Sequence, residues 1–178
     1  MNVTSIANLY SSLQTSSVSA YGNQVLSAFD KAASRLESAQ QSTKVQISAY
    51  GQVKSGFASI ESAGQTLAKG TANAVTDTKK ALETLVSAYN DTRSAAATTA
   101  PGYASNAANT LRRTAANDSV RTDLQSLGIT QASDGSLSID TKKLDAALQA
   151  NPGAAQQAAA RVGGQLQGVA TRALSESG

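Results

Sequence analysis

The sequence lacks the residues from which most familiar active sites are built. Its 178 residues include no cysteine, no histidine and no tryptophan. Without cysteine there are no disulfides, thiol nucleophiles or thiolate metal sites, and without histidine the usual zinc ligand and the commonest general base are missing. A serine nucleophile would need a lysine base, yet no lysine has a serine three residues before it. We therefore expect no enzyme activity, no metal and no cofactor.

Two short segments resemble ligand-binding loops only superficially. Lys69 precedes Gly70, the reverse of the order in a phosphate-binding loop, so this segment is better interpreted as a helix end. Asp134 and Gly135 resemble part of a calcium loop, but Thr141 stands where that loop needs its closing acidic residue. A turn followed by a helix cap is the favoured interpretation of the second segment.

Charge is sparse and mixed along the chain. Charged residues make up 15% of the sequence and the net charge is +3. The basic pairs, such as Lys79 and Lys80, are isolated, which is typical of solvated helix faces rather than of a nucleic-acid patch. No stretch approaches the roughly 20 apolar residues that a membrane-spanning helix needs. We expect neither nucleic-acid binding nor membrane insertion.

The N-terminal segment has an unusual composition. Met1 to Phe29 contains no charged residue and is rich in Ser, Thr, Asn and Gln. It lacks the basic start and apolar run of a cleavable signal peptide. The residues leave two interpretations open, a flexible terminus or an uncleaved leader that a narrow secretion channel threads first. The predicted organisation is a flexible uncharged segment over 1–23 and a helical bundle domain over 24–178.

Apolar residues recur every seven positions from Leu26 onward. This spacing predicts one long helix from about Gln24 to Lys69 with an apolar stripe along one side. The predicted helix-packing seam consists of Leu26, Phe29, Leu36, Ile47, Tyr50, Phe57, Ile60 and Leu67. The pattern leaves open whether this seam packs within the chain or between chains.

Stop and cap signals divide the next part of the chain into two helices. Gly70 followed by Thr71 predicts a helix end and a new N-cap, with a second helix from about Ala72 to Ala97. A loop over 98–102 follows, because it contains proline and glycine. A third helix is predicted from near Tyr103 to Gly128.

The period then changes from helical to alternating. Short strands flank the turn sequence Ser133-Asp134-Gly135 and predict a small β-hairpin near 129–139. Asp140 is placed to cap a helix over 141–150, and Asn151-Pro152 to start another that runs to about Val162. Gly163 and Gly164 are expected to interrupt it before a last helix over 165–174. The predicted fold is mainly α, an antiparallel helical bundle with long helices and one small hairpin.

The segment from Leu127 to Pro152 resembles a motif of flagellar filament cap proteins, the family also called hook-associated protein 2. In that family the motif reads approximately LGI, DGTLSLD, KL, AL and NP. The matching residues are Leu127, Gly128, Ile129, Asp134, Gly135, Leu137, Asp140, Leu144, Leu148, Asn151 and Pro152. Two less specific stretches, Leu85 to Asn90 and Gln46 to Leu67, are also similar to the family.

The resemblance implies a non-enzymatic structural protein of the bacterial flagellum. It further implies type III export without signal cleavage, an extracellular location and oligomeric capping. Implied partners are flagellar components or the chain itself, with an export apparatus or chaperone as further candidates. Between Lys69 and Val75 the chain has no room for the family's head domains, and it ends soon after Pro152. A minimal member without head domains and C-terminal stalk helix is therefore expected.

An alternative from a different functional class uses the same scaffold. A secreted or surface-exposed helical protein, acting as an antigen or as an effector that contacts host components, would need the same exported bundle. Fold-level resemblance does not separate the two functions.

Overall fold

The computed structural model describes residues 20–70 and 75–177. The chain divides into two compact units, residues 1–45 and 46–178. In the described ranges the elements are α1 (Ala20–Ala68), α2 (Val75–Ala97), α3 (Tyr103–Ala116), α4 (Asp118–Ser126), β1 (Ile129–Gln131), β2 (Leu137–Ile139), α5 (Thr141–Ala150) and α6 (Pro152–Glu176). The predicted fold class, a mainly α bundle with one small hairpin, is confirmed.

The first helix follows the predicted span closely. It begins at Ala20, a few residues before the predicted start, and ends at Ala68, just before Gly70 with its left-handed φ of 61°. The flexible segment was predicted over 1–23. Residues 1–19 of it lie outside the described residues, and residues 20–23 belong to α1. The predicted cap at Thr71 also lies outside them.

The core of the second unit is built from aliphatic side chains and alanine. The C-terminal helix α6 is central, because it packs against α2, α3, α4 and α5. Its buried side chains are mostly alanine, which lets neighbouring helices approach closely. The largest fully buried side chains of the core are Tyr89, Phe57, Ile60, Leu82, Leu85, Leu111, Leu127, Ile129, Leu144, Leu148, Leu166 and Val53. A sequence poor in aromatic residues thus fills its core through close helix spacing.

Helices α1 and α6 cross where both carry glycine. A Cβ atom added to Gly64 would lie 2.5 Å from the carbonyl oxygen of Gly163, and one added to Gly163 would lie 2.7 Å from the Cβ of Leu67. Such distances are closer than carbon atoms can approach, so any side chain at either position would push the helices apart. Glycine weakens an isolated helix, but here it permits backbone contact between two helices.

Two predicted helix boundaries were wrong. The third predicted helix is divided at Asn117, whose ψ of 138° is not helical and whose Oδ1 accepts a hydrogen bond from the Ser119 amide at 3.1 Å. Asparagine can do this because its side chain replaces the backbone partner that the first amides of α4 lack. Conversely, Gly163 and Gly164 do not interrupt α6, because Gly163 is buried in the crossing with α1.

The hairpin and the caps around it are confirmed. Strands β1 and β2 are antiparallel, with Ile129 opposite Ile139. The side-chain oxygen of Asp140 accepts a hydrogen bond from the Lys143 amide at 3.1 Å, and that of Asn151 accepts one from the Ala154 amide at 3.1 Å. Pro152 lies in the first turn of α6, where its missing N–H has no helical partner to lose.

Candidate protein-interaction site

The apolar residues of the predicted motif lie in the core rather than on a surface. All five are at most 3% exposed: Leu127, Ile129, Leu137, Leu144 and Leu148. They come from the end of α4, from both strands and from α5, so the apolar side chains of the motif pack these elements together in one core. Their spacing therefore describes how this segment folds, and it leaves none of the five available to a ligand.

The remaining motif residues set the backbone path. Gly128 and Gly135 have left-handed φ values of 72° and 86°, conformations that favour glycine. Between them, the Asp134 carboxylate accepts hydrogen bonds from the Ser136 hydroxyl at 2.6 Å and from the Ser136 amide at 2.9 Å. These bonds hold the pKa of Asp134 below its ordinary value. Asp134 thus stabilises the turn as an ionised acceptor, and no arrangement for metal binding is needed to explain it.

A side chain from α2 extends the hairpin in the manner of a neighbouring strand. The Asn90 amide group donates to the Leu137 carbonyl at 2.8 Å and accepts from the Leu137 amide at 2.9 Å. This double contact satisfies both backbone groups of one residue of β2. The sequence patterns predict no contact for Asn90, which only ends a less specific family match, because 47 positions separate it from Leu137.

Tyr89 on α2 forms hydrogen bonds with the hairpin turn. Its buried hydroxyl donates to the Gly135 carbonyl at 2.9 Å and receives a hydrogen bond from the Gln131 side chain at 3.1 Å. Burial raises the pKa of the Tyr89 phenol, so it remains a protonated donor. Arg93 donates to the Asp134 carbonyl at the tip of the turn. The hairpin is therefore a rigid part of the bundle.

The comparison with known families points to the same segment. The protein-family model for the C-terminus of flagellar hook-associated protein 2 matches residues 102–175. This part of the chain, fewer than half of its residues, is similar to the C-terminus of flagellar hook-associated protein 2. The match covers α3, α4, the hairpin, α5 and all but the last residue of α6. No curated protein and no solved structure shows significant similarity to the chain.

The predicted helix-packing seam divides into buried and exposed residues. Phe57, Ile60 and Leu67 are buried in the core of the second unit. Tyr50 is half-buried against Tyr103, with the ring centres 6.2 Å apart in an edge-to-face arrangement, and Leu26 is also half-buried. The other three residues, Phe29, Leu36 and Ile47, are exposed. The seam is not one continuous contact within the chain.

Two ion pairs among the described residues connect helices to one another. The Arg161 guanidinium on α6 donates two hydrogen bonds, of 2.7 and 2.9 Å, to the Asp123 carboxylate on α4. This contact lowers the pKa of Asp123. A further ion pair of 2.7 Å joins Lys79 on α2 to Asp145 on α5. Across the same residues, no group of three or more acidic side chains is placed to hold a metal ion.

An open groove runs between α1 and α2 in the second unit. Its lining consists mainly of short hydroxyl and alanine side chains, including Ser55, Ser59, Ser87 and Ala88. Two carboxylates, those of Glu83 and Asp91, also line the groove. No helix within 20–70 or 75–177 combines the length and the apolar character needed to cross a bilayer.

Proposed function

We propose that this protein is a non-enzymatic structural component of the bacterial flagellum, related to the filament cap, that works by packing against other protein subunits. One observation carries the proposal. The family match over residues 102–175 coincides with complete helices and the hairpin, including every residue of the motif from Leu127 to Pro152. A chance match to helical composition would have no reason to follow the boundaries of folded elements.

The chemistry of this region supports a structural role. Its motif residues fill the core, form turns or cap helices, and its polar network from Tyr89 and Asn90 is satisfied internally. A protein whose most specific sequence motif is used entirely for folding offers its outer helix faces to partners. Packing between helices requires such rigidity, since a surface must be ordered before another subunit can complement it.

We further propose that the protein is exported and acts outside the cell. The support is the uncharged N-terminal stretch, Met1 to Phe29, which carries no charge to hinder threading through a narrow channel. In this proposal the stretch is an uncleaved leader for the flagellar type III route. The flagellum, rather than a host molecule, is the destination that the family match favours.

Export can be tested by following the protein with an antibody in its native bacterium. We expect it outside the cell in the wild-type strain and inside the cell in a strain that lacks the flagellar export apparatus. Deleting Met1 to Gln24 should also retain it inside. Gly51→Ala, an exposed change on the same helix, serves as the matched control and should be exported normally.

The opposite result would identify the alternative function. If the protein reaches the culture fluid equally well without the flagellar apparatus, it is secreted independently, and an antigen or effector role replaces the flagellar one. If the deletion variant is exported at the wild-type level, the N-terminal stretch is not the leader.

A further inference from the structure

The part of α1 that lies in the first unit carries a short row of exposed apolar side chains. Val25, Phe29 and Leu36 are 53%, 62% and 55% exposed among the described residues. Phe29 and Leu36 lie seven residues apart, so they project from the same side of the helix. Residues 1–19 belong to the same unit but lie outside the described residues, so these exposed fractions leave them out of account. An apolar row of this kind indicates that another segment covers it.

The sequence of residues 1–19 contains a row of the same kind. Val3, Ile6, Tyr10 and Leu13 follow one another at intervals of three, four and three residues, a spacing that predicts one apolar face of a helix. Four of the five residues over 15–19 are serine or threonine, which favour turns over helix interiors. The described part of α1 then begins at Ala20. The pattern therefore predicts a short helix, a turn and α1.

The two rows match in register and in length when they run antiparallel. The pairs are Leu13 with Leu26, Tyr10 with Phe29, Ile6 with Ala33, and Val3 with Leu36. The row on α1 ends at Leu36, because the polar residues Gln40 and Thr43 occupy the next two positions of the face. Five extended residues reach roughly 17 Å, more than the 8–10 Å that separates the axes of packed helices. The turn over 15–19 is therefore long enough to join the two helices.

The charge at Asp30 distinguishes this segment from a second copy of the chain. In an antiparallel pair of two α1 helices that matched Leu26 with Leu36, Asp30 would face Asp30 of the other copy. In the pairing with residues 3–13, the residue that faces Asp30 is Ala7, and the segment has no charge anywhere. Like charges that face one another at a helix interface oppose association. The uncharged segment is therefore the better complement to this face.

We propose that residues 3–13 of this chain fold back as an antiparallel helix on the face of α1 formed by Leu26, Phe29, Ala33 and Leu36. All of these residues lie within the first unit. The arrangement replaces the flexible terminus that the composition left open. If the same stretch is the export leader, docking covers it in the folded protein, and the chain is threaded before it folds. That consequence rests on the proposed function, whereas the docking itself does not.

Cross-linking of the full-length protein tests the pairing directly, because the natural chain has no cysteine. Ala7→Cys combined with Asp30→Cys should be joined within one chain by a short bis-maleimide, and mass spectrometry should identify the linked peptides. Ala7→Cys combined with Lys31→Cys is the matched control, since Lys31 is exposed and lies one residue on, at the outer side of α1. The control should give little of this product. A covalent dimer from the first pair would assign the face to a second copy, and a folded first pair without a cross-link would also overturn the proposal.

Hydrogen exchange tests the apolar contact without introduced thiols. Amides over 3–13 should exchange more slowly than in an unstructured peptide, and Phe29→Gln should raise their exchange rate about tenfold by removing the central side chain of the face. Ile47→Gln is the control, because Ile47 is 68% exposed on the same helix but lies outside the face, and it should leave these amides unchanged. Wild-type amides that exchange as fast as an unstructured peptide would contradict the proposal. Both measurements use the purified protein, so their outcome is independent of the export experiment.

Discussion

Glycine at positions 64 and 163 lets α1 and α6 touch through their backbones. Gly64→Ala should lower the free energy of unfolding by about 1–3 kcal/mol, because a methyl group would be forced against the Gly163 carbonyl. Urea unfolding followed by circular dichroism measures the change.

Gly51→Ala on the same helix is the control. Nothing lies within 4 Å of a Cβ atom at position 51, so the substitution should raise the free energy of unfolding by about 0.5–1 kcal/mol through helix propensity alone. Equal effects of the two substitutions would show that the crossing imposes no steric constraint.

The side-chain amide of Asn90 is a second group that should contribute strongly to stability. Asn90→Ala leaves both the amide and the carbonyl of Leu137 without their partner, which should cost about 1–3 kcal/mol of stability. Hydrogen exchange at the Leu137 amide should also become faster. Asn109→Ala, at an exposed position of α3, should change stability by less than about 0.5 kcal/mol. Unchanged exchange at Leu137 would contradict the role given to Asn90.

Between elements, the contact of Arg161 with Asp123 makes the packing of α4 on α6 depend on pH. The folded state lowers the pKa of Asp123, chiefly through the Arg161 hydrogen bond, so this carboxylate stabilises the protein at neutral pH. That contribution begins to fall at about pH 5, just above the pKa of an aspartate in the unfolded chain. It is lost once the pH drops below the lowered pKa of Asp123 in the folded protein. Because Arg161 is largely exposed, the contribution of the Asp123 carboxylate to the free energy of unfolding is at most about 1 kcal/mol.

The pH effect can be isolated by substitution. Asp123→Asn should be less stable than the wild type at pH 7, and the difference should shrink as the pH is lowered from 7 to 3. Asp118→Asn, whose side chain is 93% exposed, is the comparison and should show a much smaller difference. Urea unfolding at several pH values gives both curves. A difference that grows on acidification would show that the sign assigned here is wrong.

Features that depend on a few neighbouring residues were predictable from the sequence. The capping side chains of Asp140 and Asn151 accept hydrogen bonds from amides three residues away. The hairpin turn is predicted by the sequence Ser133-Asp134-Gly135. The break at Asn117 was missed because helix-compatible residues lie on both sides and a single cap residue does not decide between continuing and restarting. Its local signal, asparagine followed by aspartate and serine, was nevertheless present.

Features that depend on distant residues were not predictable in this way. Gly163 and Gly164 indicate an interruption when their own helix is considered alone, and only the contact with Gly64 shows why α6 continues. The bonds from Asn90 to Leu137 have the same character. In the candidate site, the motif residues were identified, but their burial, and thus their role in folding rather than binding, follows only from the packed structure.

At the scale of the whole molecule, the second unit is a closed helical bundle built from the described residues of 46–178. Residues 102–175 of this bundle match the family model for the C-terminus of hook-associated protein 2, and the apolar side chains of the bundle form one buried core. Phe29, Leu36 and Ile47 on α1 are large apolar side chains that are exposed among the described residues.

Localisation on the flagellum tests the flagellar role most directly. Filaments sheared from the native bacterium can be purified and labelled with gold-conjugated antibody against the full chain, with filaments from a strain lacking this protein as the control. We predict that gold particles decorate the wild-type filaments and are absent from the control. Abundant protein in the free medium together with unlabelled wild-type filaments would contradict the flagellar role.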